Sequence, residues 1–273
     1  MRTRGVLWFL LIAFGAAWGA IAATRALGVR LDNPLAQLPV AFAPALAAIV
    51  VRRFVTREGF GDAGLALRLR PARRYYLLAW LGPIVALAVA AGLATATGRY
   101  QPDPGDLPDI LPLLVLALLL PPLFWGEEFG WRGYLQQRIG GRPAAAVLVT
   151  GVIWGVWHWP LAFAGYTTFD DPVRGLALWT VQTTALGVVL AWLFVRSGSI
   201  WVSSLAHAGS NMLVGIGGEL LLVERGGLDD DLVTLLALVP VAAAAVVILA
   251  SRALAPAQLV PAGAGPRVSN GPA

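Results

Sequence analysis

GVLWFLLIAFGAAWGAIAAT, residues 5–24, contains no charged side chain, and the fold follows from asking where such a stretch can reside. About 20 consecutive apolar residues in a helix match the hydrocarbon thickness of a bilayer. The run follows Arg2 and Arg4 as a secretory leader would, but it continues to Thr24 without a small-residue cleavage site, so it reads as a retained span. Seven comparable runs follow, at about 34–51, 76–97, 109–131, 144–164, 175–195, 199–217 and 232–251. The expected fold is all-α: a polytopic membrane helix bundle of about eight transmembrane helices over residues 1–254. The Pro/Gly/Ala-rich tail 255–273 is expected to be disordered.

Composition agrees. A soluble domain carries roughly 25% charged residues, whereas this chain carries 13%, is 58% hydrophobic and has a mean hydropathy of +0.73. All 20 basic residues are arginine, and they punctuate apolar runs instead of clustering on one solvated face, which argues against a nucleic-acid partner. The absence of cysteine excludes disulfides, thiolate metal sites and a cysteine nucleophile.

Cytoplasmic loops collect arginine, so the span count can be tested. Arg2, Arg4, Arg52, Arg53, Arg57, Arg68, Arg70, Arg73, Arg74, Arg132, Arg138, Arg142, Arg196, Arg252 and Arg267 fall on one side, fifteen of the twenty. The other side holds Arg25, Arg30, Arg99, Arg174 and Arg225 with most of the acids: Asp32, Asp103, Asp106, Asp109, Asp170, Asp171, Glu219, Glu224 and Asp229 to Asp231. Both termini are therefore expected in the cytoplasm. The arginine-rich loop from Arg52 to Tyr75 reads as a topology anchor along the anionic inner leaflet.

Ionisable groups inside spans are expensive and mark function, and three short segments hold most of them. Gly126-Glu127-Glu128-Phe129-Gly130-Trp131-Arg132 places Glu128 and Arg132 four apart on one helix face, with Glu127 offset by one. Trp154 and His158 lie one turn apart in the fifth run, as do His207 and Asn211 in the seventh, and these are the only two histidines in the chain. Taken singly, each segment has a structural reading as an interfacial charge cluster or an interhelical contact. Counted from the arginine-rich ends at about 1.5 Å per residue, Glu127, His158 and Asn211 lie at about 18 to 21 Å and His207 at about 12 Å. All can meet in one cavity, which this count directs towards the cytoplasm.

The ordered set Glu127-Glu128-x-x-x-Arg132, Trp154-x-x-x-His158 and His207-x-x-x-Asn211 resembles the three motifs of the CPBP family of intramembrane proteases, which includes the Rce-type CAAX prenyl endopeptidases and Abi-like proteins. The resemblance covers about residues 60–217, with Trp154 where phenylalanine is common. It implies peptide-bond hydrolysis within the membrane: Glu127 and His158 activating a water, His207 and Asn211 holding the oxyanion, and Glu128 paired with Arg132. It leaves open a metal version, in which Glu127, His158 and His207 would bind a divalent ion such as zinc with an open position. The implied partners are the lipid bilayer and a membrane protein or lipid-associated peptide, and the implied location is a cell membrane, in bacteria the inner membrane. Prenylation of the substrate is left open. Gly59-Phe60-Gly61-Asp62 spells the Gly-x-Gly-Asp of aspartyl intramembrane proteases, but it lies in the arginine-rich loop. Two rival classes remain: a proton-coupled transporter, expected to show paired broken helices in related halves, and a non-catalytic immunity or scaffold protein.

Overall fold

The computed structural model describes residues 2–31, 33–167, 169 and 171–254. The expected disordered tail with Arg267, and the acids Asp32 and Asp170, lie outside the described residues. The described residues form helices and connecting turns, with no strand among them. In chain order these are α1 (Arg2–Ala26), α2 (Pro34–Val50), α3 (Arg73–Ala96), α4 (Leu107–Leu119), α5 (Pro121–Gly130), α6 (Pro143–Ala162), α7 (Pro172–Ser197), α8 (Ile200–Gly209) and α9 (Asp230–Ala250). Wider π turns extend α2 over Val51–Val55, α5 over Trp131–Leu135 and α8 over Ser210–Gly217 and Glu219–Glu224.

Among the described residues six helices are long and apolar enough to cross a membrane, or seven with the α4–α5 pair counted as one broken span. The expected span not among these is the seventh, 199–217, which is α8 with its π extensions. Its first turns are largely buried inside the protein, so it is a core element of the bundle. The fourth expected span, 109–131, is not one straight rod: α4 and α5 meet at 52°. Pro121 and Pro122 follow Leu120 directly. Proline removes an N–H from the helical ladder and disfavours helical geometry in the residue before it.

Helix starts on the acid-rich face are locally encoded. Asn33 accepts a hydrogen bond from Leu35 N ahead of α2, Asp171 accepts from Val173 N and Arg174 N ahead of α7, and Asp229 accepts from Leu232 N ahead of α9. Each satisfies backbone donors that a helix N-terminus leaves unpaired, and the two aspartates also oppose the positive end of the helix dipole. Helix α1 shows what apolar composition achieves without an amphipathic face: Phe9, Ala13 and Ala17 are sealed inward while Leu7, Trp8 and Leu11 are exposed, as on a lipid-facing span.

Small residues bring the site-bearing helices close to their neighbours. Gly126 and Gly130 of α5 lie against α2, where a methyl group at Gly130 would come within 2.3 Å of Pro44 Cβ. Gly151 and Gly155 of α6 lie against α7, where added methyl groups would meet Thr184 Cα and Thr180 Cα at 2.9 Å. These are small-x-x-x-small packing faces. Tryptophan ties α1 to α6: Trp157 Nε1–H donates to Ala13 O at 3.2 Å, and Trp18 Nε1–H donates to Trp157 O at 3.0 Å.

The arginine-rich face is held by a clamp. Arg52, which the sequence offers only as a topology signal, is fully buried and binds Asp62 at 2.8 Å and Gly133 O at 2.8 Å, with its guanidinium near the Phe60 and Tyr134 rings. Arg138 reaches Glu58 at 2.9 Å and Asp62 at 3.0 Å. Burial pushes the Asp62 carboxyl up, but the hydrogen bond from Arg52 and the charge of Arg138 outweigh it and hold the group below its usual 3.8. Asp62 therefore serves as the anion of this clamp, which accounts for the Gly-x-Gly-Asp resemblance without chemistry.

Candidate active site

Helices α5, α6 and α8 bring the three polar segments together. Glu128 is fully buried and sits at their junction: Arg132 Nη1 donates to its Oε1 at 2.8 Å, and His207 Nδ1 lies 3.0 Å from the same oxygen. A carboxylate only accepts, so Nδ1 of His207 carries the proton and Nε2 is turned away from Glu128. The spacing of four between Glu128 and Arg132 produces the pair the sequence suggests. Its extension to His207 depends on helix packing that no spacing rule reveals.

Glu127 and His158 form the second pair. Trp154 Nε1–H donates to Glu127 Oε2 at 2.7 Å, and His158 Nε2 stands 4.0 Å from that same oxygen. His158 Nδ1 lies 2.8 Å from the Trp154 carbonyl oxygen. Since that oxygen only accepts, Nδ1 is the protonated nitrogen and Nε2 presents a lone pair towards Glu127. Two acceptors 4.0 Å apart do not bond to each other. One water donating two hydrogen bonds of about 2.8 Å spans that gap at about a right angle.

Trp154 is the residue that sequence reasoning undervalued. Its ring lies 4.4 Å below the Arg132 guanidinium, stands edge-on to His207 at 5.1 Å and to His158 at 5.3 Å, and its N–H holds Glu127. The signal was available: tryptophan carries a donor that phenylalanine lacks. Trp157 and Trp179 complete an aromatic surround of His158, with ring centroids at 4.9 and 5.3 Å.

Asn211 lies one turn beyond His207, at the start of the π segment, and its Nδ2 donates to His207 O at 3.2 Å, leaving a second amide hydrogen uncommitted by that bond. Two of the three helices that carry site residues, α5 and α8, widen into π turns that contain Arg132 and Asn211, a deviation frequent at functional sites.

His158, His207, Asn211 and Trp154 line a cavity of about 240 Å³. Its far wall comes from α7 and α9, and its outer margin is Tyr166, Thr167 and Phe169 with Asp231. These residues belong to the acid-rich face, so the cavity runs away from the side to which depth counting directed it. That count started from the arginine-rich ends alone. His158 is 15 residues from Pro143 but only four from Ala162, or about 22 Å against 6 Å of helical rise.

Among the described residues no group of three or more His, Cys, Asp or Glu side chains is disposed to hold a metal ion. The indole of Trp154 packs against both imidazoles and already occupies Glu127 Oε2, so Glu127, His158 and His207 are not gathered around a common point.

Residues 107–213 match the family model described as "Type II CAAX prenyl endopeptidase Rce1-like", a segment that includes all six candidate residues. The chain is also 32% identical over 108 residues to the Bacillus subtilis (strain 168) protein named "Uncharacterized protein YyaK". That similarity covers 37% of this chain and 33% of the Bacillus protein, so the chain spans about a third of the length of that relative.

Proposed function

On the premise that residues 107–213 are an Rce1-like segment, we propose that this multi-pass membrane protein is an intramembrane endopeptidase acting on membrane-associated peptides through a water activated by Glu127 and His158. The observation that carries the reading is the pair of acceptors facing each other across 4.0 Å beside a cavity, inside an otherwise apolar bundle. A water there donates one hydrogen to Glu127 and the other to His158 Nε2, leaving an oxygen lone pair for a scissile carbonyl carbon.

As the C–O bond forms, Glu127 takes the water proton and the carbonyl oxygen becomes an oxyanion. His207 Nε2 and the free amide hydrogen of Asn211 supply its hydrogen bonds. Because Nδ1 of His207 already holds a proton, donation from Nε2 requires the imidazolium, and the Glu128 carboxylate 3.0 Å away supports that charge. With Glu127 and Glu128 ionised, Arg132 and His207 cationic and His158 neutral, the five groups sum to zero charge, which suits a buried site. Collapse of the intermediate breaks the C–N bond, and Glu127 returns its proton to the departing amine. No step passes through a metal. Glu128 and Arg132 act as positioning residues.

A transporter reading needs a second broken helix in a related half, and one bent pair occurs among the described residues. The deciding experiment uses purified protein in detergent with a quenched peptide containing an apolar segment. Wild type is expected to cleave it, and Glu127→Ala and His158→Ala to lose at least about 100-fold, the usual scale of a positioned acid or base. Equal cleavage by all three rejects the protease reading, and vectorial uptake dependent on Glu127 would replace it with transport.

A further inference from the structure

We infer that the site takes its substrate from the acid-rich, non-cytoplasmic face, so that its substrates are membrane-anchored peptides presenting the scissile bond near that leaflet; the substrate assignment rests on the protease reading above. The first observation is the accessibility gradient along α8. After Trp201, which is partly open at the arginine-rich end, every residue from Val202 to Gly209 is buried, and Ser210, Asn211 and Met212 are the next in succession to be partly open. The second is the seal beneath the site. Arg132, Leu190, Val202, Ser203 and Ser204 are at most 1% exposed, and Ser203 Oγ–H donates to Leu190 O at 3.1 Å, joining α8 to α7.

The third observation is where the cavity leads. On α7 it follows Trp179 and Gly175 towards Pro172, and on α9 it reaches Thr234 and Asp231, one residue past that helix's first. Both helices begin on the acid-rich face. An ion pair between Arg174 and Asp231 bridges them there. Loops rich in arginine stay on the cytoplasmic side, and the described loop with most arginines, from Arg52 to Arg74, lies at the sealed end. A peptide reaching Glu127 from the cytoplasm would have to part a wholly buried layer, whereas one from the opposite face meets an existing cavity.

The chain has no native cysteine, so single introduced thiols report without background. Thr167→Cys and Gln182→Cys place thiols in the cavity, with Arg99→Cys marking the acid-rich loops and Gly140→Cys the arginine-rich ones. A membrane-impermeant maleimide is applied to right-side-out and to inverted vesicles. Both cavity thiols are expected to react from the side that labels Arg99→Cys, and Gly140→Cys only from the cytoplasmic side. Reaction of the cavity thiols from the Gly140 side, or from both sides, overturns the inference.

A second arm separates this from the protease reading. Cleavage in detergent, where sidedness is lost, tests hydrolysis alone. In vesicles, the same peptide is presented with its scissile bond at either leaflet, and cleavage at the acid-rich face alone is expected. Cleavage in detergent but only from the arginine-rich face in vesicles overturns the access inference and leaves the protease intact. No cleavage in detergent removes the substrate assignment, while labelling still decides the direction of the cavity.

Discussion

Replacing Glu128 by leucine tests the positioning trio at its centre. Glu128 and Arg132 are 0% and 1% exposed and joined at 2.8 Å, and His207 shares the same carboxylate oxygen at 3.0 Å. Removing one member of a buried ion pair strands the other and costs about 3–5 kcal/mol, whereas replacing both by apolar residues is often neutral or stabilising. Glu128→Leu should therefore lower the unfolding free energy by about 3–5 kcal/mol. Adding Arg132→Met should restore at least about 2 kcal/mol of it, a coupling of the size seen for directly interacting residues. The assay is equilibrium unfolding in mixed micelles for wild type, both single variants and the double variant. The double variant should fold yet cleave peptide about 100- to 1000-fold more slowly, the scale of a lost oxyanion donor, because His207 no longer has an anion to hold it cationic. A Glu128→Leu cost below about 1 kcal/mol, or strict additivity of the two changes, refutes the buried-pair reasoning. A double variant with wild-type kcat refutes the role given to His207.

Four further outcomes follow from separate contacts. Trp154→Phe keeps the ring but removes the N–H that Glu127 accepts at 2.7 Å. A hydrogen bond to a charged group is worth about 1.5–3 kcal/mol, so kcat should fall about 10- to 100-fold with KM nearly unchanged, and an unaltered kcat would show that the indole does not position the base. Gly130→Ala forces a methyl group to 2.3 Å from Pro44 Cβ and 2.7 Å from its carbonyl carbon. Overpacking of about 1–3 kcal/mol should appear as a lowered Tm. Asp62 is held below its usual 3.8 in the folded protein, so its stabilising effect is complete above that value and is lost as pH falls through the depressed one. The Tm difference between wild type and Asp62→Asn should accordingly be full at neutral pH and shrink in acid below 3.8. Chelation should leave cleavage by the purified protein unchanged, since Glu127, His158 and His207 do not converge, and loss of activity reversed by zinc would reinstate the metal reading.

Several features were legible in the residues themselves. Apolar runs gave the helices, and the four-residue spacing of Glu128 and Arg132 gave a pair that the fold contains. Other features required three dimensions. The 52° bend at Pro121-Pro122 lies within a stretch whose apolar composition reads as a single fourth span. Arg52 looked like any loop arginine, because its burial is created by Asp62 and Gly133 arriving from elsewhere in the chain. The direction of the cavity is not legible in the residues, because a helix offers two ends to count from and charge counts do not say which end the neighbouring helices close. Trp154 looks like a generic aromatic in the motif, since a sequence shows the ring and its N–H but not the carboxylate it meets.

The π turns of α5 and α8 have a further effect on how the protein divides its work. Each wide turn holds one residue more than an α-turn, so it shifts the angular phase of everything downstream by about 100° relative to a regular helix. Upstream of Trp131–Leu135, Glu127 and Glu128 face the cavity partners, and downstream Gln137 and Arg138 face the loop that Asp62 anchors. One helix thereby serves two surfaces whose orientations are set independently. Deleting a single residue from that turn would keep the helix and its composition yet rotate the reaction chemistry out of phase with the anchor, so register, as much as residue identity, is part of this site.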